Sequence, residues 1–127
     1  MRLVKNKKEY WEFIRHLRNH PDVKTGFVFQ DHISEEQQKV YMSKFGDCFY
    51  ICLVDEKPAG YVGVIEDDIR VATHPDFQGK GVGKFMIDEL MKEHPDAFAK
   101  VKLENEASIK LFEKCGFQKV FYILEKK

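Results

Sequence analysis

The sequence predicts an α/β fold, a mixed sheet with helices on both faces, in one domain that spans residues 1–127. Apolar runs of strand length alternate with stretches whose apolar residues recur at helical spacing. Short polar turns separate three successive strands in the middle of the chain, which indicates antiparallel neighbours. A glycine-rich loop then leads into a strongly periodic helix and a further apolar run, which indicates a parallel strand. The predicted order of elements is β-α-α-β-β-β-α-β-α-β.

The first half of the chain predicts one strand and two helices. The strand lies around residues 2–4, and apolar residues at helical spacing predict a helix over 7–18. The segment Asn19-His20-Pro21-Asp22 ends this helix. The segment Ser34-Glu35-Glu36-Gln37 is typical of a capping box, so a second helix is expected from there to about Lys44.

The second half predicts five strands and two helices. The expected elements are strands at 48–54, 59–65 and 69–73, a helix at 83–93, a strand at 97–103, a helix at 106–115 and a last strand at 117–124. Asn105 is predicted to cap the last helix, and Gly116 is predicted to end it.

Composition limits the class of protein and of partner. Lys plus Arg and Asp plus Glu both number 21, so no net charge favours nucleic acid or an anionic membrane. The N-terminus lacks the apolar core of a signal peptide and no stretch reaches membrane-spanning length, so we expect a cytoplasmic protein. Cys48, Cys52 and Cys115 are expected to be free thiols without metal-like spacing to histidine, so no metal site is expected.

The segment from Val71 to Lys84 carries the strongest functional signal. Glycines at 79, 81 and 83 lie between a strand and a helix. Glycine adopts backbone angles that a Cβ forbids, so several N–H groups can converge on one point. The helix N-terminus adds unpaired N–H groups and the positive end of its dipole. The segment therefore predicts a seat for phosphate oxygens and a phosphorylated small-molecule ligand.

Two other glycine-loop classes fit less well. A magnesium-nucleotide loop needs Ser or Thr after its lysine, and Phe85 follows Lys84 here. A dinucleotide-binding turn finds an acid at Glu104, about twenty residues after the loop. However, Lys84 stands where its third glycine belongs, and five residues separate the strand from the loop, where that turn is tight.

Two motifs together resemble those of the GNAT acetyltransferases. Gln78-Gly79-Lys80-Gly81-Val82-Gly83, after His74-Pro75 and before an amphipathic helix, is similar to the acetyl-CoA loop of that family. The segment from Asn105 to Phe117 resembles the family's N-x-x-[AS]-x-x-[LF]-[YF]-E-K-x-G-F signature, and the likeness covers roughly residues 48–117. It implies the GNAT-like acyl-CoA N-acyltransferase fold and an N-acetyltransferase with acetyl-CoA as co-substrate.

The resemblance also implies which residues hold acetyl-CoA. The backbone amides of the loop would bind the pyrophosphate, the strand before it would pair with the pantetheine arm, and a backbone N–H of that strand would polarise the thioester carbonyl. The asparagine that opens the second motif would reach the pantetheine or thioester region. The implied residues are Val71, Ala72, Thr73, Gln78, Gly79, Lys80, Gly81, Val82, Gly83, Lys84 and Asn105.

The implied chemistry is direct attack of a primary amine on the thioester, which needs a neutral amine and a stabilised thiolate. Many family members carry a tyrosine where this chain has Phe112, which cannot donate a proton. Tyr122 and Tyr61 are candidate acids, and water or unaided departure of the thiolate are the alternatives. The candidate bases are Glu104, Glu66 and Asp68.

The first half of the chain bears on the acceptor. The segment from Arg18 to Val23 and the segment around His32 to Gln37 resemble those of sugar-nucleotide amine acetyltransferases, and the same region is similar to ribosomal-protein N-terminal acetyltransferases. We predict a small-molecule acceptor, and we favour an amino-sugar nucleotide over a peptide amine. The alternative to an enzyme is a protein module that binds CoA without turnover. The loop residues that could hold a nucleotide diphosphate are Arg18, His20, Lys24, Phe27, Phe29 and His32.

The end of the chain departs from the family pattern. The family usually has two closing strands after the second motif, and residues 118–127 leave room for one. Either a second copy of the chain completes the sheet, as a homodimer, or the sheet stays short.

Overall fold

The computed structural model describes residues 1–27 and 31–127. Within that part of the chain, four antiparallel strands form one sheet in the order β1-β2-β3-β4. The strands are β1 (Arg2–Lys5), β2 (Phe49–Val54), β3 (Lys57–Ile65) and β4 (Asp68–Thr73). The helices are α1 (Trp11–Asn19), α2 (Pro21–Lys24), α3 (Glu35–Phe45), α4 (Val82–Glu93) and α5 (Glu106–Lys114).

The N-terminal helices follow the predicted signals with one addition. A short 3-10 turn at Lys8–Tyr10 precedes α1, so the helix begins later than the periodicity suggests. The capping box of α3 is confirmed, since Ser34 Oγ accepts from the Gln37 amide at 3.1 Å and Gln37 Oε1 accepts from the Ser34 amide at 2.9 Å. The added element is the one-turn α2, which starts at Pro21 where a stop was predicted, because proline fits the first turn of a helix.

Two tight turns join the central strands. Asp55 and Glu56 link β2 to β3 with φ of 51° and 65°, and Glu66 and Asp67 link β3 to β4 with φ of 52° and 64°. Two successive positive φ angles are typical of the two-residue hairpin turn whose twist matches the strands. The predicted antiparallel meander is therefore confirmed.

Helices cover both faces of the sheet, as predicted. One core packs α4 and α5 against the sheet through Val62, Ile69, Val82, Met86, Leu90 and Phe112. The other packs α1, α2 and α3 through Ile14, Leu17, Val23, Met42, Tyr61 and Ala72. Side chains alternate along a strand, so β4 directs Ile69 and Val71 to the α4 face and Ala72 to the α1 face. The edge strand β4 thus lies between two packed layers.

The strand predicted at 97–103 is reduced to a single parallel bridge. The Ile69 amide donates to the Phe98 carbonyl at 2.9 Å, and the Phe98 amide donates to the Asp67 carbonyl at 2.8 Å. Past Phe98 no further backbone pair joins this segment to β4 within the described chain. The alternating pattern was right for a strand, but a strand also needs a neighbour, and the two segments diverge after the first pair.

The strand predicted at 117–124 is not formed either. Residues 117–127 are neither helix nor strand. The apolar side chains of this tail are exposed: Val120 at 78%, Phe121 at 74%, Tyr122 at 76%, Ile123 at 65% and Leu124 at 92%. Its β-branched and aromatic residues favour a strand, but the neighbouring strand on which it would pair is itself absent.

Helix α5 has the predicted ends. Asn105 Oδ1 accepts from the Ser108 amide at 3.2 Å, which caps the N-terminus. At the other end Gly116 has φ of 92°, and the Phe117 amide donates to the Phe112 carbonyl at 3.0 Å, the hydrogen bond of a Schellman motif. The rings of Phe112 and Phe117 then meet edge to face with centroids 5.1 Å apart.

Two further expectations concern thiols and membranes. Cys48, Cys52 and Cys115 are free, as predicted. None of the helices in the described ranges is both long and apolar enough to cross a membrane.

Candidate functional site

The loop between β4 and α4 is fixed by its own side chains. His74 opens a 3-10 turn at Pro75–Phe77, and its Nδ1 accepts from the Asp76 amide at 3.1 Å. Gln78 Nε2 then donates to the Thr73 carbonyl at 3.3 Å, so the loop folds back on the end of β4. These contacts place the glycines immediately before α4.

The glycines leave open space beside the backbone N–H groups at the start of α4. Gly79 and Gly81 have φ of 78° and 80°, and a Cβ added at either would meet no atom within 4 Å. Gly81 is the N-cap of α4 and has no side chain to cap it, so the amides of residues 82–84 have no acceptor within the helix. Phe85 is the first residue whose amide has an acceptor within the helix, since it donates to the Gly81 carbonyl at 3.1 Å. Open space beside unpaired amides and the positive end of a helix fits a phosphate group.

The two lysines of the loop have different surroundings. Lys80 Nζ lies 5.6 Å from the centroid of the Phe77 ring. Lys84 Nζ lies 2.5 Å from Asp88 Oδ2, and this hydrogen bond raises the pKa of Lys84. Lys84 is therefore paired with a carboxylate of α4, whereas Lys80 forms no ion pair within the described chain, and their predicted part in binding the cofactor stays a prediction.

The edge of β4 offers a second set of backbone groups. Ile69 directs its amide away from β3 to Phe98, so Val71 and Thr73, at alternate positions, direct theirs to the same side. Arg70 and Ala72 direct their backbone groups to β3. The pairing of β4 with the 97–103 segment ends at Phe98, which leaves the edge beside Val71 open within the described chain. An extended ligand can pair here as an additional strand.

Asn105 lies where the N-terminus of α5 meets the segment that follows α2. Its Oδ1 caps α5, and its Nδ2 donates to the Gly26 carbonyl at 3.3 Å. Lys102 Nζ donates to the Thr25 carbonyl at 3.2 Å in the same place. The cap predicted for Asn105 is thus confirmed, and the residue also ties the segment after α2 to the α5 layer.

The predicted acid and base lie outside both sets of backbone groups. Glu104 has an exposed side chain, with Oε1 3.5 Å from Lys102 Nζ. A hydrogen bond from its own backbone lowers the pKa of Glu104, and Lys102 acts in the same direction. Tyr122 is exposed in the C-terminal tail. No hydrogen bond or ion pair within residues 1–27 and 31–127 joins either side chain to β4 or to the glycine loop.

The other candidates divide between core and surface. Tyr61 is buried in the α1-face core, and burial raises its pKa far above the ordinary value. Asp68 Oδ2 lies 3.3 Å from Arg70 Nη2 and 3.8 Å from Lys100 Nζ. Glu66 belongs to the β3–β4 turn, and Phe112 is a core residue.

A histidine-lined cleft on the α1 face was not predicted. It has a volume of about 410 Å³ and is lined by Phe13, His16, Leu17, His20 and His74. The His20 and His74 rings meet edge to face with centroids 6.1 Å apart. His20 Nδ1 accepts from the Asp22 amide at 3.1 Å, as His74 Nδ1 does from Asp76. His-Pro-Asp occurs three times in the sequence, at 20–22, 74–76 and 94–96, and the first two copies meet at this cleft, so the repeat was the available sequence signal.

The acceptor loop predicted over residues 18–32 is only partly described. His20 lines the cleft, and Phe27 packs against the α1-face core. Phe29 lies outside the described residues. Among the described residues, no three His, Cys, Asp or Glu side chains form a group that could hold a metal ion.

Comparisons with known proteins agree with the geometry. The model of the acetyltransferase (GNAT) family matches residues 9–117. A comparison with curated protein sequences gives no match. Spermidine N-acetyltransferase from Vibrio cholerae, solved with CoA and spermine, superposes with a TM-score of 0.85 at 18% identity, over 98% of this chain and 85% of that one.

Two further solved structures share the fold. A Salmonella typhimurium protein solved with its cofactor acetyl-CoA has a TM-score of 0.78 at 18% identity, over 92% of this chain and 79% of that one. Ribosomal-protein-alanine N-acetyltransferase from Brucella melitensis has a TM-score of 0.78 at 15% identity, over 93% and 85%. At these identities the superpositions establish the common fold. The family model matches most of the chain, which therefore belongs to the GNAT family of acetyltransferases, enzymes that take the acetyl group from acetyl-CoA.

Proposed function

We propose that this chain transfers the acetyl group of acetyl-CoA to the primary amine of a small molecule, with amino-sugar nucleotides as the first acceptors to test. The observation that carries the proposal is a pair of neighbouring backbone features, the open β4 edge beside Val71 and, beyond the turn at Pro75–Phe77, the amides at the N-terminus of α4 that have no acceptor within the helix. A CoA ester offers a pyrophosphate for these amides and an amide-bearing pantetheine arm for the β4 edge.

The donor is expected to bind through the backbone. The amides of residues 78–84 would hold the pyrophosphate, and Val71 and Thr73 would pair with the pantetheine arm. The Val71 amide is then placed to donate to the thioester carbonyl and to stabilise the oxyanion that develops on it. Asn105 would fix the far wall through its bonds to Ser108 and Gly26.

The acceptor is expected to approach from the α1 face, because α4 and the phosphate seat occupy the other face of β4. The cleft lined by His16, His20 and His74 lies on this face. Glu104 remains our predicted base and Tyr122 our predicted acid. Both need a substrate-bound arrangement that brings them to the thioester, since neither contacts β4 in this structure.

Self-association is part of the proposal. The tail at 117–127 exposes a run of five apolar side chains, and the segment past Phe98 has no strand partner within the described chain. Burying both in a homodimer would complete the sheet that the family pattern requires.

Acetyl-CoA binding tests the donor site through Gly81→Glu. A glutamate there fills the open space beside the amides with a side chain of the same charge as phosphate. The matched control is Gly116→Glu, because Gly116 also has a positive φ and open space at its Cβ but lies at the far end of α5. A saturating donor should stabilise the wild type by about 2.7 kcal/mol at a hundred times its Kd.

We expect this stabilisation to persist in Gly116→Glu and to vanish in Gly81→Glu. Thermal unfolding with and without acetyl-CoA measures it. Thiol release against amino-sugar nucleotides, peptides with free N-termini and spermidine then tests the acceptor. Unchanged donor affinity in Gly81→Glu would show that the loop is not the phosphate seat. Donor binding without thiol release for any amine would favour a CoA-binding module.

A further inference from the structure

We propose that the acceptor amine carries an anionic group, a carboxylate or a phosphate, which Arg18 and Arg70 bind on the α1 face of β4. This inference rests on the proposed function and names its substrate class. It would apply to an amino-sugar phosphate or nucleotide, and to an amino acid, and it would exclude polyamines.

Arg70 places a guanidinium group directly beside the proposed reaction centre. It precedes Val71 on β4, and strand alternation directs its side chain to the α1 face. Its Nε is buried and has no hydrogen-bond partner in the described chain. Nη2 lies 3.3 Å from Asp68 Oδ2, and the side chain is 40% exposed, so part of the guanidinium fork remains accessible. A bidentate anion is the usual partner of such a fork.

Arg18 supplies a second guanidinium group to the same region. It lies in the last turn of α1, and its Cζ is 5.2 Å from the centroid of the Tyr41 ring. No carboxylate within the described residues pairs with it. Burial raises the pKa of Tyr41 and Tyr61, and Arg18 and Arg70 each act in the opposite direction on both phenols. Both guanidinium groups therefore influence the same two aromatic side chains, those of Tyr41 and Tyr61.

The local charge balance favours an anion. Arg18, Arg70 and Lys100 contribute three positive charges, and Asp68 is the carboxylate that pairs with the last two. These four groups have a net charge of +2, which a bound carboxylate would halve and a doubly charged phosphate would neutralise. A polyamine would add positive charge beside two arginines, and the resulting repulsion is unfavourable in a partly buried site.

The donor and the acceptor would also lie on opposite faces of β4. The phosphate seat belongs to α4, whose side chains form the core on one face, whereas Arg18 and Arg70 lie on the opposite face. An anion bound by these arginines is thus separated from the pyrophosphate of the donor by the sheet. Its amine can then reach the open β4 edge beside Val71.

Matched pairs of amines test the inference in binding as well as in turnover. The probes are glucosamine 6-phosphate against glucosamine, and 4-aminobutyrate against butylamine, with spermidine as the cationic probe. Calorimetric titration of each into the CoA-saturated protein should give at least tenfold tighter binding for the anionic member of each pair. Arg70→Gln and Arg18→Gln should each reduce this preference tenfold or more, and Arg70→Lys should keep part of it.

The control is Arg15→Gln on the same helix, since the Arg15 guanidinium is already paired with Glu12. The preference should survive in this variant. Equal binding of glucosamine and butylamine, which lack the anionic group, or of spermidine, absence of binding by both probes that carry the anionic group, or a preference that persists without both arginines would overturn the inference. Loss of acetyl-CoA binding by the wild type would instead refute the proposed function, and the donor titration reports that separately.

Discussion

Tyr61 is a buried phenol whose ionisation couples folding to alkaline pH. It is 3% exposed, and burial raises its pKa well above the value of about 10 that a tyrosine has in the unfolded chain. Above pH 10 the unfolded chain releases this proton and the folded chain retains it. The stabilisation is therefore complete below pH 10 and is lost as the pH rises towards the folded pKa.

Tyr61→Phe should remove this dependence. In the wild type this one group lowers the free energy of unfolding by about 1.4 kcal/mol per pH unit above pH 10. The melting temperature should therefore fall less between pH 9 and pH 11 in Tyr61→Phe, by about 4 °C. Tyr122→Phe, which changes an exposed ring, is the control and should follow the wild type. Equal slopes in Tyr61→Phe and the wild type would show that this phenol ionises freely in the folded protein.

Asn105 combines a helix cap with a tie between two layers, and two substitutions separate these roles. Asn105→Ala removes both and should lower the free energy of unfolding by about 1 kcal/mol through the cap alone. Asn105→Asp keeps an acceptor for the Ser108 amide but loses the donor to Gly26. Amide exchange in residues 23–27 should rise in both variants, whereas only Asn105→Ala should lose the cap. Faster exchange in Asn105→Ala alone would contradict the tie.

Gly83 sets how closely α4 approaches α5. Its backbone is helical, but a Cβ there would lie 2.9 Å from Leu111 Cδ2. Gly83→Ala should gain up to about 1 kcal/mol in helix propensity and lose part of this gain because the end of the Leu111 side chain must shift, so the net stabilisation in the wild-type background should be smaller than about 1 kcal/mol. In a Leu111→Ala background the contact is gone, and the same change should stabilise by about 1 kcal/mol. Chemical denaturation of the four proteins measures the cycle, and equal effects in both backgrounds would refute the contact.

At the level of helices and strands, the sequence predicted correctly those features that depend on a few adjacent residues. Caps, turns and helix faces depend on a few adjacent residues, so the capping box of α3, the two hairpin turns and the Schellman end of α5 were predictable. The strands at 97–103 and 117–124 were not, because a strand requires a neighbour and nothing in an alternating pattern shows where two segments diverge. The backbone groups of the candidate site follow from the glycine loop and strand alternation. Arg70 and His16 were missed because the surroundings of each side chain depend on the packing of α1 on β4.

In the proposed function, the sheet separates the two substrates. Donor recognition would depend mainly on backbone groups of the β4 edge and the α4 N-terminus, whereas the opposite face would supply side chains: the histidine cleft and the proposed arginine pair. Backbone recognition persists through many sequence changes, and side-chain recognition does not. This division explains why the family and its donor could be identified from motifs, while the acceptor requires the packed α1 face.

The C-terminal tail bears on the assembly of the whole molecule. Its apolar side chains from Val120 to Leu124 are exposed, so a chain that ends at Gln118 should lose less than about 1 kcal/mol of intrachain stability. If the tail forms the proposed homodimer, sedimentation velocity should show a concentration-dependent dimer for the full chain and a monomer for the truncated one. Tyr122→Lys, which places a charge in the middle of the tail, should dissociate the dimer without truncation. A full chain that stays monomeric up to high concentration would refute the dimer, and a large loss of stability in the truncated monomer would show that the tail packs on its own chain.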